Sequence, residues 1–157
     1  MSPTHAYHSR LSWRGSTGDG YDSYERTHRV VVPPADGELV LSSDPAFHGD
    51  AELPNPEQLL LASVSSCQLL SFLAMAARSR VDVYAYEDDA EAIMPEDQRP
   101  RRITQITLRP RIVVSPAADL DRVGRLVARA HAECFIANTV TAEVVVDPTV
   151  EHARSPR

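Results

Sequence analysis

The segment from Asn55 to Arg80, NPEQLLLASVSSCQLLSFLAMAARSR, constrains this chain more than any other. Asn55 is a favoured helix N-cap, Pro56 stands at the favoured first helical position, and Glu57 complements the positive end of the helix dipole. The residues that follow are apolar on nearly every side, which predicts a helix buried inside the protein rather than laid on its surface. Arg78 and Arg80 suit its C-terminal end. Ala62, Ser63, Ser65 and Ser66 form a collar of small residues around Cys67, where another backbone can approach closely.

Before and after this helix the dominant period is that of strands. Tyr7, Ser9, Leu11 and Trp13 alternate with polar neighbours, and residues 26–32 predict a second strand stopped by Pro33-Pro34 and the Asp36-Gly37 turn. Residues 38–41 make a short third strand; residues 42–54 show neither period and read as a loop. Residues 81–94 and 103–114 predict two long strands forming an antiparallel hairpin. In the second of these, Ile106, Leu108, Ile112 and Val114 share one face, and Gln105, Thr107, Arg109 and Arg111 the other. Glu87, Asp88, Asp89 and Glu91 read as a solvated strand face. Leu120, Val123, Val127, Ala130 and Cys134 then step by three and four residues, the stripe of an amphipathic helix with Arg122, Arg125 and Arg129 opposite. Val140 to Val146 predict a last strand, and residues 148–157 a frayed tail. The order βββ-α-ββ-α-β predicts an α+β fold, two helices packed on an antiparallel sheet. One domain over residues 1–157, with its core at about 6–147, is expected.

Composition narrows the function. A chain of 157 residues buries roughly 68–70% of its unfolded surface, enough for one core without metal or disulfide support. Its 16 basic and 22 acidic residues give a net charge of −6, which argues against a nucleic-acid partner. Every basic residue is Arg, so each cationic role falls to a group that does not deprotonate. The first ten residues lack the apolar core of a signal peptide, and no run of 18 apolar residues occurs; a cytoplasmic protein without a membrane partner is expected. Cys67 and Cys134 are too few for a disulfide scaffold. A Cys in an apolar helix is more often a small hydrophobe than a nucleophile. For Cys67 to react, its thiol must be acidified, and it lies too deep in its helix for the dipole to reach. The residues leave an Arg or a protonated His as the cation. His131-x-x-Cys134, with Cys67, offers a weak alternative as metal ligands.

Asn55-Pro56-Glu57-Gln58-Leu59, with Cys67 ten residues after Glu57, resembles the signature of the OsmC/Ohr family, the osmotically inducible and organic hydroperoxide resistance proteins. Cys134, followed by Asn138-Thr139-Val140, matches the place of that family's second cysteine, and Arg26-x-x-Arg29-Val30 looks like its arginine segment. The resemblance implies an OsmC-like fold in an intertwined homodimer. It implies a peroxidatic Cys67 that reduces organic hydroperoxides to alcohols and a resolving Cys134 that forms a disulfide with it. Arg26 would stabilise the thiolate and polarise the peroxide, and Glu57 would hold Arg26. No bound cofactor is implied; electrons would come from a lipoyl group, another dithiol or a thioredoxin-like donor.

Ten helical residues span about 15 Å, so Glu57 and Cys67 cannot touch along one helix. Either Arg26 bridges a considerable reach or the Arg–Glu pair comes from the partner subunit; the small-residue collar around Cys67 favours the second, and a monomeric variant is then expected to lose thiolate reactivity. The OsmC branch carries an Arg in the loop before the NPE motif, where this chain has His48, the other candidate cation. Trp13, Phe47, Phe72, Tyr84 and Phe135 could line an apolar pocket or belong to the core. The alternative to an enzyme is a non-catalytic protein of the same fold that holds a small hydrophobic ligand in the dimer cleft.

Overall fold

The computed structural model describes residues 3–154. The chain falls into two units, one ending at Leu59 and the other beginning at Leu60.

In the first unit, β1 (Arg10–Ser12), β2 (His28–Val31) and β3 (Leu39–Leu41) form an antiparallel sheet in that order. β1 and β2 are shorter than the alternation predicts. The indole N–H of Trp13 donates to the Glu25 carbonyl at 2.7 Å, which places this segment in a side-chain-anchored turn. The stretch 42–54, expected as a plain loop, is built. Asp44 caps a single 3-10 turn (Pro45–Phe47), and His48 closes it with φ 62°. A Cβ at position 49 would lie 1.6 Å from the Ser43 carbonyl oxygen, so only Gly49 permits the close return. Buried Ser42 donates its N–H to the Pro54 carbonyl and accepts from the Asp50 N–H, each at 3.1 Å. This returns the chain to α1 (Pro56–Arg78) where the sequence predicts it. Asn55 Oδ1 accepts from the Gln58 N–H at 2.8 Å, and Gln58 Oε1 accepts from the Asn55 N–H at 3.0 Å, a reciprocal cap.

The second unit takes α1 from Leu60 onward. The expected hairpin pairs as predicted, but each long strand is broken. β4 (Val83–Asp88) pairs antiparallel with β7 (Pro110–Val114), and β5 (Glu91–Ile93) with β6 (Gln105–Leu108). The predicted parity survives the break, with Ile106, Leu108, Ile112 and Val114 buried and Arg109 and Arg111 exposed. Two expectations fail. The strand after α2 (Leu120–Ala132) is β8 (Glu143–Val146), and it pairs with β6 in parallel, because the helical crossover supplies the length a parallel connection needs. The supposed tail contains β9 (Thr149–His152), parallel to β7, so Val150 packs on the core. Residues 155–157 lie outside the described residues. The acidic run is not merely solvated either: Asp88 accepts from the Ser65 hydroxyl and, at 2.7 Å, from the Arg109 N–H.

α1 also departs from expectation. By length and composition it could cross a membrane. Instead, Phe72, Met75 and Ala76 pack with Ile112, Val114, Val123, Leu126, Val127 and Ala130, while Val64 packs with Ile106 and Leu108. Only that face is covered. Leu70 is 64% exposed and Leu73 38%, so the helix that sequence reads as buried all round has an apolar face open to solvent.

Phe72→Ala should destabilise the protein by about 3–5 kcal/mol, the usual range for an aromatic removed from a closed core. Asn55→Ala, which removes half of the reciprocal cap, should cost about 1 kcal/mol. Urea unfolding of the two variants against the parent checks both, and equal midpoints would contradict the packing described.

Candidate active site

The residues singled out by sequence fall into two groups. In the first unit, β2 and the turn before it position Arg26, which is buried. Its guanidinium stacks over the Tyr24 ring at 3.9 Å and the Tyr21 ring at 4.9 Å, and its N–H groups donate to the carbonyls of Tyr24 and Tyr21. His48 Nε2 lies 3.3 Å from Asp22 Oδ1, and its ring meets Tyr21 edge-on at 5.3 Å. Glu57 stands in the first turn of α1, and no ion pair joins it to Arg26 among the described residues. The neighbours on β2 divide as alternation requires. His28 Nδ1 contacts the Arg26 carbonyl at 2.8 Å, while Arg29 pairs with Glu38 on the exposed face. Leu11, Trp13, Thr17, Tyr24, Arg26 and His28 line a cavity of about 420 Å³, closed by Ser42, Ser43 and Pro56.

In the second unit the structure brings the two cysteines together. Both are free thiols; Cys67 is half-buried and Cys134 buried. Cys134 lies just past the end of α2, on the stripe the sequence predicts. Desolvation by burial works to raise the pKa of Cys67. It is outweighed by the backbone N–H of Ile136, the Cys134 thiol, the backbone N–H of Phe135 and the Ser71 hydroxyl, so Cys67 ends below an ordinary thiol. Cys134 goes the other way: burial, opposed by the Ala137 N–H, and then the side chain and charge of Cys67 push it up to about 11. Sequence reasoning looked only to a cation and left out these N–H donors, which carry no residue signature.

The surroundings contain groups that the sequence reading did not single out. Gln68, fully buried, donates from Nε2 to the Val127 carbonyl at 3.3 Å and so ties the Cys67 helix to α2. The Tyr86 ring sits 6.0 Å from that of Phe72. Burial first, then the charges of Asp88 and Cys134, hold the Tyr86 phenol well above its usual range. Phe72 is core, whereas Tyr84 and Phe135 are exposed. Among the described residues no cluster of three or more His, Cys, Asp or Glu could hold a metal ion.

Two neighbouring free thiols, one below and one above the ordinary thiol range, thus lie on an α+β fold with split sheets, the architecture of an OsmC-like scaffold. The OsmC-like protein family model matches residues 49–149, and the chain belongs to that family. An OsmC-like protein of unknown function from Vibrio cholerae is 26% identical, with a TM-score of 0.83 over 93% of this chain and 100% of that one. An organic hydroperoxide resistance protein OsmC from Legionella pneumophila shares the fold at 18% identity and a TM-score of 0.70, covering 96% of this chain and 99% of that one. The uncharacterized protein YmaD of Bacillus subtilis is 23% identical over 145 residues, 89% of each chain.

With reduced protein and limiting iodoacetamide near neutral pH, alkylation should fall on Cys67. Cys134 should react through its thiolate only as the pH approaches about 11. Site-resolved mass spectrometry across the pH range checks this; preferential labelling of Cys134 at neutral pH would contradict the assignment.

Proposed function

We propose that this chain is a cysteine-dependent peroxidase that reduces organic hydroperoxides to alcohols, in keeping with the redox and stress association of its family. The observation that carries the reading is the contact between an acidified Cys67 and a Cys134 kept protonated. The Cys67 thiolate attacks the peroxide; an S–O bond forms, the O–O bond breaks, and the alkoxide leaves and takes a proton to become the alcohol. The sulfur is then a sulfenic acid. Attack by Cys134 forms the S–S bond and expels hydroxide, which leaves as water with the Cys134 proton. An external dithiol, a lipoyl group or a thioredoxin-like donor then supplies two electrons and two protons to restore both thiols.

The order of steps follows from the electrostatics. The charge of Cys67 is one of the influences that raise Cys134, and oxidation to the neutral sulfenic acid removes it. Cys134 therefore becomes easier to deprotonate only once it has something to attack. In this reading Arg26, held by Glu57 in the assembled enzyme, polarises the peroxide; His48 is the substitute cation if Arg26 does not. A homodimer is supported by the exposed apolar face of α1 around Leu70 and Leu73, a face that a soluble chain ordinarily covers. A working pair of thiols that must be reduced between turnovers favours the cytoplasm.

Mass spectrometry after one equivalent of cumene hydroperoxide should find two thiols lost and a Cys67–Cys134 cross-link. In Arg26→Ala, kcat/KM should fall about 10²–10³-fold, the usual cost of removing one donor to a developing oxyanion. A variant as active as the parent would shift the role to His48, tested by His48→Ala. Sedimentation should give a dimer, and a monomeric variant as active as the parent would sink the shared-site arrangement.

A second reading has its own observation. The first-unit cavity of about 420 Å³, walled by Leu11, Trp13 and Tyr24, is of a size to hold a small hydrophobic ligand. A non-catalytic binder would show unchanged thiols after peroxide and the same ligand affinity in Cys67→Ser.

A further inference from the structure

The turn after α2 holds its backbone in an unusual way. From Cys134 to Val140 the hydrogen bonds that close it come from Asn138 N–H to the Cys134 carbonyl at 3.0 Å, and from the N–H groups of Thr139 and Val140 to the Ile136 carbonyl at 3.0 and 3.2 Å. Among the described residues, the N–H groups of Phe135, Ile136 and Ala137 donate to no oxygen. Three successive N–H groups without an oxygen acceptor form the kind of concavity that binds anions. What they meet is sulfur: Phe135 and Ile136 face Cys67, and Ile136 and Ala137 face Cys134.

The side chain that sets this geometry is Asn138. Its Nδ2 donates to the Ala132 carbonyl and to the Cys134 carbonyl, both at 3.0 Å, so one amide joins the last turn of α2 to the turn beyond it. It satisfies a carbonyl that the helix end leaves open, and at the same time pins the carbonyl of the second cysteine. Thr139 adds a bond from its hydroxyl to the Phe135 carbonyl at 2.7 Å. With the carbonyls of Cys134, Phe135 and Ile136 all engaged by residues 138–140, the N–H sides of the same peptide units are turned toward the thiols.

We propose that Asn138 is a positioning residue: its amide clamp aims the Phe135 and Ile136 N–H groups at the Cys67 sulfur, where they favour a negative charge. The inference rests on Cys67 being the reacting sulfur, not on which oxidant it meets. The amide nest holds negative charge on the sulfur at rest. Asn138 itself is exposed, touches neither sulfur, and acts only through the backbone.

The test is the pH titration of thiolate absorbance at 240 nm in the reduced protein, with no peroxide present. Asn138→Ala should move the Cys67 transition to higher pH and lower the thiolate fraction near neutrality about tenfold, the size expected for weakening one hydrogen bond to a charged group. Thr139→Ala should move it in the same direction by less. A folded Asn138→Ala whose titration matches the parent overturns the proposal. If that variant does not fold, the parent decides: the amide proton resonances of Phe135 and Ile136 should titrate with the midpoint seen at 240 nm, and amides that do not respond overturn it. Because no peroxide is used, a protein without peroxidase activity can still pass, and an active peroxidase can still fail.

Discussion

A charged sulfur half-removed from water is stable only where fixed dipoles replace the water it has lost. That exchange organises the second unit. The cysteine on α1 is brought against the turn after α2, Gln68 ties the two helices at the Val127 carbonyl, and Phe72 and Met75 provide the packing that keeps them at this separation. Opposite shifts of the two thiols then need no separate cause. They share one half-buried place, the N–H groups favour a single negative charge there, and whichever sulfur carries it discourages the other.

Legibility in the sequence followed the physics of each element. The start of α1 was readable to the residue because Asn55, Pro56 and Gln58 act locally, through bonds three residues apart. The parity of residues 106–114 was readable because one face is dry. Parallel pairing of β8 and β9 was not, since alternation says which side is buried and nothing about the direction of the neighbour. The open face of α1 was missed for a related reason: an apolar helix surface reads the same whether its cover comes from its own chain or from elsewhere.

The site divides in the same manner. Cys67 and Cys134 announce themselves as residue types, and the family's spacing pairs them. The donors that acidify Cys67 are peptide N–H groups, which every residue but proline possesses, so no letter marks them. The nearest signal was Asn138, a turn former four residues past the second cysteine. Arg26 stood out by charge, yet its aromatic sandwich depends on Tyr21 and Tyr24, whose turn has no regular period to give it away.

The breaks in the long strands have a consequence for how this chain can change length. Residues 89–90 separate β4 from β5, Arg109 separates β6 from β7, and residues 147–148 separate β8 from β9. The three interruptions lie side by side in the pairing register, bridged by the Arg109 N–H to Asp88 and the Asp147 N–H to the Leu108 carbonyl at 2.8 Å. They are therefore one fold line drawn across three strands. A single-residue insertion or deletion at any one of them would turn every following side chain to the opposite face while its neighbours stayed put. Length variation here must be concerted or absent, whereas the turn at 95–100, which crosses no such line, is free to drift.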